Sequence, residues 1–197
     1  DGKTLVTESL QKAINAVPHG GVLELSAGTY LSGALNLKSD MTLKLDKDAI
    51  LLGTDAVDGY QMQKNGRYNG LLNARDIQNL RIVGEGTIDG NGWEKDEKGY
   101  YRKADNRPGL DGKKSREPDL RSYGILAKNQ TVYLMEHDDR DFKEGYTGRG
   151  STVMLDHVQN LYIEGVTMEN PSMHMVVINK GDDVTVNNVN FRTYDVN

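Results

Sequence analysis

Asn79-Leu80-Arg81-Ile82, Asn160-Leu161-Tyr162-Ile163 and Asp183-Val184-Thr185-Val186 are three copies of one pattern. Each opens on an amide or carboxylate and carries aliphatic residues at its second and fourth positions. Two residues beyond the last aliphatic stand Gly84, Gly165 and Asn188, residue types that tolerate a left-handed backbone at low cost. The same turn is therefore expected at the same place in each unit. Asp40-Met41-Thr42-Leu43 reads as an earlier copy. Ile163 and Val186 are 23 residues apart, a solenoid-scale period. A unit with apolar residues at alternate positions cannot bury its face alone, but stacked units bury a continuous core. Asn and Asp at equivalent turns also suit a ladder of side-chain hydrogen bonds. A leucine-rich repeat fits less well, because its dense Leu-x-x-Leu-x-Leu pattern is absent.

The flanking sequence agrees. Leu10, Ala13, Ile14 and Val17 recur at i, i+3, i+4 and i+7, predicting a helix over Thr7–Val17 with Thr7 as N-cap and Pro18 as its stop. Short β runs follow at Val22–Leu25, Thr29–Leu31, Ala34–Leu37, Met41–Leu45 and Ile50–Leu52. They are too closely spaced for crossover helices. The expected fold is all-β: a parallel solenoid whose N-terminal end the helix caps. Residues 1–197 read as a single domain interrupted by an excursion at 94–150. That excursion holds 12 acidic and 13 basic residues and no repeat. It reads either as a solvated loop or as an arm folded over a groove.

Composition narrows the function classes. Among 197 residues there are 22 Gly, 4 Pro and no Cys, and the net charge is −5. Without cysteine there is no disulfide, thiolate metal site or cysteine nucleophile. The acidic balance argues against a nucleic-acid partner. No apolar run reaches the ~18 residues of a membrane span, and no signal peptide is visible. The chain opens on Asp1 without an initiator methionine, which reads as a processed or trimmed product.

Several segments together resemble the polygalacturonases of glycoside hydrolase family 28. They are Asp1-Gly2-Lys3-Thr4 with Thr7–Ile14, Gly20–Tyr30, and Gly86-Thr87-Ile88-Asp89-Gly90-Asn91-Gly92. Asn170-Pro171-Ser172-Met173-His174 and Thr193-Tyr194-Asp195-Val196-Asn197 are similar to the exo-acting bacterial branch. The resemblance implies a right-handed parallel β-helix, and inverting hydrolysis of α-1,4 galacturonosyl bonds in pectin or oligogalacturonides. Inversion requires an acid and a base carboxylate ~6.5–9.5 Å apart. The family carries these in an Asn-x-Asp motif and a following Asp-Asp pair, then a Gly-His-Gly and an Arg-x-Lys. The chain holds no Asn-x-Asp, no Gly-His-Gly and no Arg-x-Lys. The catalytic carboxylates are expected after Asn197, both ends look cut, and residues 1–197 alone are expected to be inactive.

Gly181-Asp182-Asp183 imitates the Asp-Asp motif, but no Asn-x-Asp precedes it. Asp183 aligns with the turn positions Asn79 and Asn160, so it is expected to be a turn residue. His174 reads as a satisfied strand-end histidine or as a groove residue that bonds sugar hydroxyls or a carboxylate. A polyanionic substrate on an acidic protein calls for local cations, and Arg pairs with carboxylates bidentately. Arg149 and Arg121 are the candidates, each with a plain surface charge as the other reading. His137 beside Asp138 and Asp139 reads as solvated loop, not as a metal site, and no cofactor is expected. An open C-terminal coil implies self-association. A calcium-dependent pectate-lyase-type enzyme and a non-catalytic carbohydrate-binding solenoid are the competing readings. A polymeric substrate favours a secreted or periplasmic protein, an oligosaccharide a cytoplasmic one.

Overall fold

The first apolar stripe forms α1 (Thr7–Ala16), which lays Leu10 and Ile14 onto the core. The residue before Pro18 is driven out of helical space, and Val17 is extended, at φ −59° and ψ 124°. Thr7 is not the N-cap. It is the first helical residue, and its Oγ1 accepts instead from Gly33 N at 2.7 Å. Gln11 adds a two-way bridge, donating to Asn36 O and accepting from Asn36 N. The helix is thereby sewn onto the first coil and covers its open end.

The computed structural model describes residues 1–94 and 125–193. Its strands are β1 (Gly21–Leu25), β2 (Gly28–Ser32), β3 (Leu35–Asn36), β4 (Met41–Leu45), β5 (Ala49–Gly53), β6 (Leu72–Gly84), β7 (Thr87–Asp89), β8 (Val153–Glu164), β9 (Thr167–Glu169), β10 (Val176–Asn187) and β11 (Asn190–Arg192). One sheet runs β1-β4-β6-β8-β10 with β3 beside β6; the other runs β2-β5-β7-β9-β11. All of these pairs are parallel, and the fold is a parallel β-helix.

The register follows the repeat. Leu43 pairs with Ile82, Ile82 with Ile163 and Ile163 with Val186. Leu43, Ile82 and Ile163 are buried. Val186 keeps the register but is 46% exposed, and Val184 39%. An inward residue of a solenoid is buried by the coils on both sides of it, and β10 has a neighbour on one side only among the described residues.

Asp76 and Asn79, His157 and Asn160, Lys180 and Asp183 all have φ near +55°. These left-handed residues bend β6, β8 and β10 around a corner, so each long strand serves two faces. Asn160 donates to Asn79 at 2.7 Å and Asn79 to Asp40 at 2.6 Å, the expected side-chain ladder. Asp183 stands in this column as the turn residue the repeat predicted. At the next corner Gly84 has φ +122°, and a Cβ there would lie 2.0 Å from Leu45 O. Only glycine fits that approach.

The excursion at 94–150 is not all loop. Its described half forms α2 (Leu126–His137) and α3 (Phe142–Thr147), helices that the sequence reading of this excursion did not place. Leu126 and Leu134 bury against Tyr60 and Tyr68 in a second, smaller core. The solenoid register is indifferent to the insertion: Asn79 and Asn160 are 81 residues apart in sequence and hydrogen-bonded in space.

Candidate functional site

Alternation along the first segments of β6, β8 and β10 sends one set of side chains into the core and the other outward. Leu72, Val153 and Val176 are in register and belong to or pack on the core, as do Ala74, Leu155 and Ile178. The outward columns are Asn73, Met154, Val177 and Arg75, Asp156, Asn179. Asp156 accepts from Asn179 Nδ2 at 2.6 Å and pairs with Arg75 Nη2 at 3.0 Å. The first column mixes Asn73 with Met154 and Val177, and the second makes the floor of stacked strands polar, with its charges matched.

One wall rises at the strand starts. Asn65-Gly66 closes a hairpin in which Gln63 N donates to Arg67 O and Gly66 N to Gln63 O. Gly66 supplies the positive φ, +76°, as three-residue hairpin loops require. Gln63 Nε2 contacts Met154 Sδ at 3.7 Å, so the hairpin overhangs the floor. The insert holds it from behind. Arg140 Nη1 donates to Gly66 O at 2.6 Å, and Tyr68 N donates to Gly148 O. Burial, with Tyr133 and Asp138 nearby, pushes the Tyr68 phenol up to about 12.

The other part of the wall is the turn at 170–175. Asn170, at φ +52°, brackets the Trp93 backbone with two bonds, accepting from Trp93 N at 2.8 Å and donating to Trp93 O at 3.0 Å. Ser172 Oγ donates to Gln130 Oε1 at 3.0 Å, and Gly150 N donates to the same oxygen. The Asn-Pro-Ser segment is thus a seam between coils and insert. His174 follows it on the surface, with its carbonyl accepting from Thr152 N.

The sequence-predicted site residues separate. His174 is exposed at the rim. Its imidazole pKa lies below the ordinary value, first because of partial burial and then because Arg67 and Arg149 are close. Arg149 is 1% exposed and does not face a groove. Its Nε donates to Tyr146 O at 2.7 Å and its Nη1 to Ser172 O. Its guanidinium lies 3.7 Å from the Tyr146 ring centre and 5.9 Å from that of Trp93. It is a buried strut between insert and turn, where a surface cation was expected. Arg121 lies outside the described residues, as does the part of the proposed arm at 95–124. Asp182 and Asp183 are exposed on the corner. His137 ends α2 stacked on Tyr133 at 4.0 Å, and Asp138 pairs with Arg140.

Arg67 went unread as a site residue. Asn65-Gly66, a strong short-range hairpin signal, was the available clue to its placement. The Asp141-x-x-Glu144 capping box that starts α3 was likewise legible.

No family model matches the chain. An exo-poly-alpha-D-galacturonosidase from Dickeya chrysanthemi is 40% identical, over 100% of this chain and 35% of that protein. An endo-polygalacturonase from Pectobacterium parmentieri is 34% identical over 44% of this chain and 24% of its own length. Among solved structures, the family 28 exopolygalacturonase of Yersinia enterocolitica superposes with a TM-score of 0.86 at 37% identity, covering 100% of this chain and 38% of that one. The polygalacturonase of Erwinia carotovora ssp. carotovora, with a TM-score of 0.67 at 22% identity, shares the fold. The chain spans about a third of the length of the first of these relatives.

Proposed function

We propose, for a chain homologous to the family 28 polygalacturonases, that it supplies the first coils of a glycoside hydrolase cleaving α-1,4 galacturonosyl bonds with inversion. In this reading the solenoid is one domain that continues past Asn197, and the acid and base carboxylates stand on those further coils. The observation that carries the reading is the match of the whole chain, at 40% identity, to a protein named for exo-acting galacturonosidase activity. The polar floor on β6, β8 and β10, walled by Arg67 and His174, supports it: a uronate chain needs hydroxyl-bonding groups below and cations beside its carboxylates. Arg121 stays in this reading as a candidate substrate contact. Arg149 acts indirectly, by fixing the turn that carries His174.

Two experiments test this. The whole protein should depolymerise polygalacturonate equally well with and without a chelator; activity abolished by the chelator favours the calcium-dependent eliminase. Residues 1–197 alone should release no galacturonate, and should self-associate through the face bearing Val184, Val186 and Phe191. Robust release by that polypeptide would return Asp182 and Asp183 to candidacy as acid and base.

A further inference from the structure

Arg67 stands out among the charged side chains around the floor. It is exposed, whereas Arg75 is paired with Asp156 and Arg140 with Asp138 and Gly66 O, and Arg149 is buried. Its position is also built. The hairpin loop is fixed by the Gln63–Arg67 and Gly66–Gln63 backbone bonds, and Asn65 Oδ1 accepts from Arg67 N at 3.0 Å. From outside, the loop is clamped by Arg140 on Gly66 O and by Gly148 O on Tyr68 N. A Cβ on Gly66 would lie 3.3 Å from the Arg140 guanidinium, so the clamp is close. Gln63 ties the same hairpin to Met154 on the floor. The 170–175 turn, the other part of the same wall, is pinned through Ser172 to Gln130 and Arg149. Hairpin and turn are therefore both anchored on the insert, one by Arg140 and the other by Arg149.

We propose that Arg67 and His174 form a carboxylate-recognition pair at the edge of this floor, held in register by the insert helices. The inference rests on the uronate reading of the site and names the group that reads the acid. A guanidinium can grip a carboxylate with two parallel bonds and an imidazole can add one. The insert is then a buttress, with Arg140 as a positioning residue that sets the hairpin. The His174 pKa is depressed first by partial burial and then by Arg67 and Arg149, which is consistent with Arg67 and His174 sharing one region of positive potential.

The test uses the whole protein and two probes made uncleavable by sulfur in their glycosidic links, thio-linked α-1,4-trigalacturonate and its fully methyl-esterified form, in titration calorimetry. Wild type should prefer the acid over the ester. Arg67→Gln should weaken trigalacturonate binding about tenfold and ester binding far less. Arg67→Lys should recover part of the loss, because the charge returns without the fork. Arg140→Leu should lose less than Arg67→Gln, in the same direction. Arg67→Gln should also raise the His174 pKa, followed by NMR of the imidazole. Trigalacturonate bound equally well by wild type and Arg67→Gln would overturn the pair and leave the uronate reading standing. A wild type that binds neither probe, or both equally, would overturn both.

Discussion

Ile163→Asp should remove most of the protein's stability, costing about 4 kcal/mol or more in urea or thermal unfolding. Ile163 is fully buried between Ile82 and Val186 in register. A carboxylate there has no partner and no water, and must either shift its pKa far upward or open the stack. The same change at Val186 in residues 1–197 should cost far less, because that side chain is 46% exposed. A variant Ile163→Asp that melts like the parent would contradict the register on which the fold is built.

Arg149→Met should cost about 3 kcal/mol, with Arg149→Lys little better. Methionine keeps the bulk but removes both donors, leaving the Tyr146 and Ser172 carbonyls without them, and it ends the stacking on Tyr146. Lysine returns the charge without the planar fork that makes two bonds and stacks. Because Ser172 precedes His174 by two residues, KM for a uronate substrate should rise along with the stability loss. A surface cation contacting substrate would behave differently, raising KM at unchanged Tm. Unchanged unfolding with a raised KM would therefore overturn the buried-strut assignment.

The His174 imidazole gives a weaker pH effect whose sign is fixed. Its folded pKa lies below the ordinary histidine value of about 6.5. The unfolded chain therefore binds the proton first as pH falls. Stability is full above that ordinary value and is lost as pH drops through it toward the folded pKa. The residue is exposed, so the loss is small.

The repeat was legible because a solenoid writes its geometry into sequence twice, as aliphatics at alternate positions and as left-handed residues at corners. Met41–Leu45 was read from the sequence with the observed bounds, and Val22–Leu25 and Ile50–Leu52 to within one residue. The ladder through Asp40, Asn79 and Asn160 followed from the same alignment. Helix α2 was hidden for a physical reason. Its buried positions are Leu126, Ala127, Gln130, Thr131 and Leu134. That spacing is helical, but two of the five are polar and look solvated to a reading based on apolarity. They are buried because Gln130 bonds Gly150 and Ser172, while Thr131 bonds back to Ala127 O. Arg149 misled for a related reason: one arginine is indistinguishable in sequence from another, and only its stacking on Tyr146 and Trp93 marks it as interior. The candidate groove joins residues from the hairpin, the insert and three coils, a juxtaposition that local sequence does not encode.

The assignment of these coils to an inverting uronate hydrolase is a proposal. It is tested most directly by proton NMR of the first product formed when the whole protein acts on α-1,4-trigalacturonate. β-Galacturonate should appear first and mutarotate later, with no unsaturated sugar. An initial α-anomer, or a 4,5-unsaturated product, would contradict it.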